Sequence, residues 1–63
     1  MTNLKVLRNK QKLTQTALAD AIGVSRGAVA QYESGDLKPS MPVLQELLKV
    51  LKCTFEELTK EVE

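Results

Sequence analysis

The stretch QTALADAIGVSRGAVAQYES, Gln15 to Ser34, decides the fold. Leu18, Ala19 and Ile22 recur at the spacing that puts them on one face of a helix. Thr14, just before this run, suits an N-cap, and Gly23 ends it, because glycine accepts the left-handed conformation of a helix C-cap. Val24 and Ser25 follow at once. Ser25 suits the N-cap of a next helix, predicted to run through about Glu33, with Val29 and Tyr32 turned inward. Two helices that cross steeply need a small residue at the crossing, which Ala19 supplies. Their turn needs positive φ, which Gly23 supplies. Leu18, Ile22, Val24, Val29 and Tyr32 are the apolar contacts that lock the angle. The reading at about residues 15–34 is two short helices hinged on a glycine.

The rest of the chain fits around that pair. A helix is predicted over about Asn3 to Lys10, with Leu4 and Leu7 on one face. Beyond Ser34-Gly35, residues 35–39 read as a loop. Ser40 is placed to cap a helix from Met41 to about Leu51, with Pro42 in its first turn, where a missing N–H costs little. Thr54 and Glu57 have the spacing of a capping box that opens a final helix. The expectation is an all-α fold of five short helices, with residues 1–63 as a single domain.

Composition narrows the function. A chain of 63 residues buries only about 60% of the surface it exposes when unfolded, so its core must be compact and aliphatic. Cys53 is the single cysteine and there is no histidine. An internal disulfide and a Cys/His metal cluster are therefore excluded, and no metal or other cofactor is expected. A lone thiol fits a reducing cytoplasm. No apolar run approaches the roughly 18 residues of a membrane span, and the first residues lack the apolar stretch of a signal peptide. No catalytic constellation is persuasive, so an enzyme is not expected, and no small-molecule ligand is evident. Net charge is +1, unevenly spread. Residues 1–40 carry six basic and three acidic side chains, whereas residues 41–63 carry three basic and five acidic. The first part suits a polyanion, and the acidic end, Glu56 to Glu63, reads as a solvated face turned away from it.

These motifs resemble the helix-turn-helix of the lambdoid phage repressor and Cro proteins, the XRE family. The resemblance runs through LKVLRNKQKLTQ, LADAIGVSRGAVAQYESG and KPSMPVLQELLKVLKCTFEEL, nearly the whole chain. The Leu-Thr-Gln opening of the second helix, the Gly-Val-Ser turn, the Tyr-Glu-x-Gly ending of the third and the Lys-Pro-Ser before the fourth match in order and spacing. The resemblance implies a compact lambda-repressor-like domain whose third helix enters the major groove of double-stranded DNA. It also implies a homodimer on a pseudo-palindromic operator with half-sites roughly 34 Å apart.

Residue roles follow from the same resemblance and from chemistry. With Val29 and Tyr32 inward, Arg26, Gly27, Ala28, Ala30 and Gln31 are the candidate base-contacting positions. Arg26 can donate two hydrogen bonds to guanine O6 and N7, and its position matches a base-contacting one in the family. Gln31 suits adenine or a phosphate, and Ala28 and Ala30 suit thymine methyls or simply leave room. Gly27 reads either as close backbone approach to DNA or as drift at an exposed position. Gln15 matches a family glutamine that grips a phosphate. Thr14 and Ser25 are further phosphate candidates, although capping explains both without DNA. Lys38 lies in a loop where the family places backbone contacts. Lys10 and Lys12 flank the same face, and each lysine also reads as an ordinary solvated side chain. Arg8 and Glu33 match a family ion pair, with Arg8 also a candidate for a phosphate.

A chain this short is expected to dimerise through the domain itself, around Cys53, Phe55, Leu58 and Val62, although Phe55 and Leu58 also read as core. Cys53 falls where the family usually has a core valine. Lys52 falls where it often has glycine, so positive φ is expected there. The competing reading is a protein-interaction module with the same fold that has lost DNA readout. Its support is the near-neutral charge and the small residues on the third helix.

Overall fold

A computed structural model describes residues 2–60, and among them the chain forms five helices and no strand. They are α1 (Thr2–Lys10), α2 (Gln15–Ile22), α3 (Arg26–Ser34), α4 (Met41–Leu51) and α5 (Phe55–Thr59). Each starts and stops for a local reason. The Thr14 hydroxyl accepts from the Ala17 amide at 3.0 Å and the Ser25 hydroxyl from the Ala28 amide at 3.1 Å, so α2 and α3 are both capped at their third amide. Gly23, at φ 78°, ends α2, and Gly35, at φ 91°, ends α3. A Cβ built on Gly23 would meet nothing within 4 Å, so the glycine is required by its backbone angle and not by crowding.

The apolar periodicity becomes a single core. Leu4 and Leu7 of α1, Leu18, Ala19 and Ile22 of α2, Val29 and Tyr32 of α3, Leu44, Leu47 and Leu51 of α4, and Leu58 of α5 are all buried. α2 packs against both α3 and α4, while α1 packs against α3 and α5. Polar ties close the ends. The Gln11 amide donates to the Leu51 carbonyl at 3.2 Å, joining the α1–α2 connection to the end of α4. The Asn3 amide donates to the Glu57 carbonyl of α5. Thr54 and Glu57 form the full capping box at the start of α5. Hydrogen bonds from Thr54 also hold the Glu57 carboxyl below the ordinary carboxylate range.

Three features differ from expectation. Ser40 occupies the N-cap of α4 but makes no side-chain cap bond. Pro42 removes one of the two amides a cap hydroxyl can reach, and its fixed φ shapes the turn without that bond. Leu58, read as a dimer contact or as core, is 0% exposed and belongs to the core, which removes it from the dimer reading. Lys12, which carried no turn signal, lies within the α1–α2 connection at φ 59°. Lys52 adopts the anticipated left-handed conformation, at φ 54°.

These angles and caps have measurable consequences. Lys52→Gly should raise the free energy of unfolding by about 0.5–1 kcal/mol, because glycine escapes the left-handed penalty and loses part of that gain to unfolded-state entropy. The midpoint of urea unfolding will report it as an upward shift. Ser25→Ala should cost about 1 kcal/mol, whereas Ser40→Ala, with no cap bond to lose, should cost a few tenths at most. Equal losses for the two variants would contradict this account of the caps.

Candidate nucleic-acid interface

α3 is covered along its inner face and near its C-terminal end, and open at its N-terminal turn. Val29, Tyr32 and Glu33 are buried, whereas Arg26, Gly27 and Gln31 are exposed and Ala28 and Ala30 are half-buried. The exposed stretch starts at the helix N-terminus and carries one long cationic side chain followed by small residues. A Cβ at Gly27 would meet only the Ser25 hydroxyl, at 3.9 Å. Packing inside the chain therefore does not require glycine there, although glycine in a helix costs up to about 1 kcal/mol relative to alanine.

A hydrogen-bonded chain of four side chains runs beneath this surface. Arg8 Nε donates to Glu33 Oε2 at 2.5 Å, and Arg8 Nη1 donates to the Leu13 carbonyl at 2.7 Å. Glu33 Oε1 accepts from Gln15 Nε2 at 2.9 Å. Gln15 Oε1 in turn accepts from Arg26 Nη1 at 3.2 Å. The Arg8 and Glu33 side chains are only 9% and 7% exposed, so the ion pair at the inner end lies inside the fold. Arg26, at the outer end, is exposed. The relay therefore ties α1, the α1–α2 connection, the first residue of α2 and both ends of α3 into one unit. Among the described residues, no buried side-chain nitrogen or oxygen lacks a partner.

The resemblance pointed to the Arg8–Glu33 pair, which forms, but not to the connections from Glu33 through Gln15 to Arg26. Arg26 and Glu33 are seven residues apart, two helical turns, and so share one side of α3. One end of that side is covered by α1 and the other is open. Gln15, as the first residue of α2, spans the gap. The spacing of Arg26 and Glu33 was a visible signal. The bridge from Gln15 depends on where α2 lies against α3, which the sequence alone does not specify.

The remaining candidates fall into two groups. Thr14, Ser25, Lys10, Lys12 and Lys38 are exposed, and Gln15 is half-buried. The Thr14 and Ser25 oxygens accept the capping bonds, which leaves each hydroxyl proton free to donate outward. Arg8 differs from this group. Two of its five donors are committed inside the fold and its side chain is nearly covered, so its place in the ion pair comes before any contact with a phosphate. Of the four residues read as a dimer contact, Leu58 is core, Cys53 is half-buried, Phe55 is 53% exposed and Val62 lies outside the described residues. Burial pushes the Cys53 thiol upward, which makes it less nucleophilic at neutral pH. Among the described residues, no group of histidine, cysteine or carboxylate side chains is placed to hold a metal, and no helix is long and apolar enough to cross a membrane.

The sequence has relatives among known proteins. The sequence matches the helix-turn-helix family over residues 4–58. It is 36% identical over 58 residues to the uncharacterized HTH-type transcriptional regulator YqaE of Bacillus subtilis (strain 168), covering 92% of this chain and 50% of that protein. It is 40% identical over 55 residues to the HTH-type transcriptional activator BcrR of Enterococcus faecalis, covering 87% of this chain and 27% of BcrR. It is 35% identical over 57 residues to the repressor protein C2 of Salmonella phage P22, covering 90% of this chain and 26% of C2. The chain thus spans half or less of the length of these relatives.

Proposed function

This chain belongs to the helix-turn-helix family, and from that premise we propose that it is a sequence-specific DNA-binding regulator that represses transcription in the repressor/Cro manner. α3 enters the major groove of a pseudo-palindromic operator, and two copies of the chain read its two halves. One observation carries the reading: the Arg26 guanidinium stands exposed at the N-terminus of α3, braced by Gln15, with small residues beside it. A planar fork held outward in this way matches the two acceptors on the guanine edge. Gly27, Ala28 and Ala30 let the helix approach the bases, and Gln31 is the second polar reader. Gln15, Thr14, Ser25, Lys38 and Lys10 face the phosphates. Exposed Phe55, with half-buried Cys53 two residues before it, is the remaining candidate dimer contact. C2 carries the name of a repressor and BcrR that of an activator, and the repressor role proposed here follows the phage-type resemblance.

Selection from a random DNA pool is the test. It should return a two-fold symmetric sequence with a guanine in each half-site. Affinity for that sequence should fall steeply with salt, each phosphate contact adding about 0.9 to the slope of log affinity against log salt. Binding that ignores salt, or a pool that yields no sequence, would defeat the proposal in favour of a protein-interaction module. Sedimentation showing only monomers at high concentration, with and without DNA, would defeat the dimer.

A further inference from the structure

Gln15 sits between two partners of opposite character. Its Nε2 donates to a carboxylate oxygen of Glu33 and its Oε1 accepts from the guanidinium of Arg26. An amide flipped by half a turn would aim its NH2 at Arg26, where donor meets donor, and its oxygen at Glu33, where acceptor meets acceptor. Both contacts would be lost together. The orientation is therefore imposed, and it is imposed from inside the fold. Glu33 is fixed by Arg8, and Arg8 by the Leu13 carbonyl.

Resting on the DNA-binding reading above, we infer that buried Glu33 is a positioning residue for base selection. It sets the polarity of the Gln15 amide so that a carbonyl oxygen, not an NH2 group, holds Arg26 for guanine. The Arg26 nitrogen that donates to Gln15 is Nη1, which leaves the donors of Nη2 and Nε for a base edge. Without the Gln15 carbonyl, a long exposed side chain at the end of a helix samples many rotamers. Ordering it on guanine then carries an entropic cost that a base unable to order it escapes, so the difference between them, and with it discrimination, falls. Glu33 touches no DNA in this scheme. It acts through one intermediary, on one base pair of each half-site.

Two experiments test the inference. The first needs no variant to fold. In the wild-type protein the side-chain NH2 of Gln15 should exchange its protons with solvent several-fold more slowly than that of exposed Gln45, as read by nitrogen-15 NMR. Equal rates would overturn the proposal. The second uses the double variant R8M/E33M, which removes the relay without leaving a buried charge unpaired and is therefore expected to fold. Its selected DNA sequences should lose preference at the guanine position by roughly tenfold while the other positions hold. In a Q15A background the same double change should add nothing, because the intermediary is already gone. A further loss there, or loss spread over every position, would mean that the pair merely aims the whole helix, and the proposal fails. If the wild type selects a sequence and R8M/E33M selects it with equal stringency, positioning by Glu33 is excluded while DNA binding stands. If the wild type selects nothing, the DNA-binding reading falls and this inference falls with it.

Discussion

Glu33→Ala should destabilise the domain by about 3–5 kcal/mol at neutral pH, as measured by urea or thermal unfolding. A chain of 63 residues has little stability to spare, about 3–9 kcal/mol on a per-residue scale, so much of the variant population should be unfolded at physiological temperature. The reason is the partner left behind. Arg8 is buried, and its Nε donates to the carboxylate that has been removed. A guanidinium cannot shed its charge by losing a proton, so the uncompensated cation must be hydrated by opening the structure or left unpaired. Arg8→Ala removes the other partner and leaves the Glu33 carboxylate with the Gln15 amide as its remaining donor. Replacing both residues with methionine should fall close to wild-type stability, because a matched apolar pair has no desolvation cost to offset. A loss of less than about 1 kcal/mol for Glu33→Ala would show that the pair is more hydrated than its burial implies.

The sequence pattern and the structure agree most closely where one residue decides one local feature. Gly23 and Gly35 end their helices because glycine alone takes a left-handed angle without penalty, and both roles were legible from residue type. Thr14, Ser25 and Thr54 precede apolar runs at cap positions, and each makes its bond. Lys52 was legible only through the glycine that related sequences place there. Lys12 was not legible at all, since a lysine in a connection carries no mark of a positive φ. Leu58 shows a different limit. A leucine at helical spacing near the end of a small chain reads equally as core or as interface, and only the position of α5 over α1 decides between them. The relay is the least local case. Arg8, Glu33, Gln15 and Arg26 were each visible as candidates, yet the complete relay needs three helices in register.

Arg26→Ala should reduce discrimination for the guanine-containing site by about 1–3 kcal/mol, a factor of roughly 5 to 150, and should relax base preference at that position. The expected change in folding stability is small, within about 0.5 kcal/mol, because the side chain is exposed and its bond to Gln15 lies at the surface. That combination distinguishes Arg26 from Glu33, whose loss strikes the fold first. Lys38→Ala provides the contrast on the DNA side. A lysine facing a phosphate should weaken binding to all sequences about equally and reduce the salt slope by about 1, whereas Arg26→Ala should leave the slope nearly unchanged. Arg26→Lys is not conservative here. An ammonium has no planar fork to match O6 and N7, and it cannot engage Gln15 and guanine with the fixed geometry of a guanidinium. Lysine at this position should therefore recover affinity through charge but not base preference. If Arg26→Lys restored both, base preference at this position would rest on donors that an ammonium supplies as well, and the planar fork at the head of α3 would not be what reads the sequence.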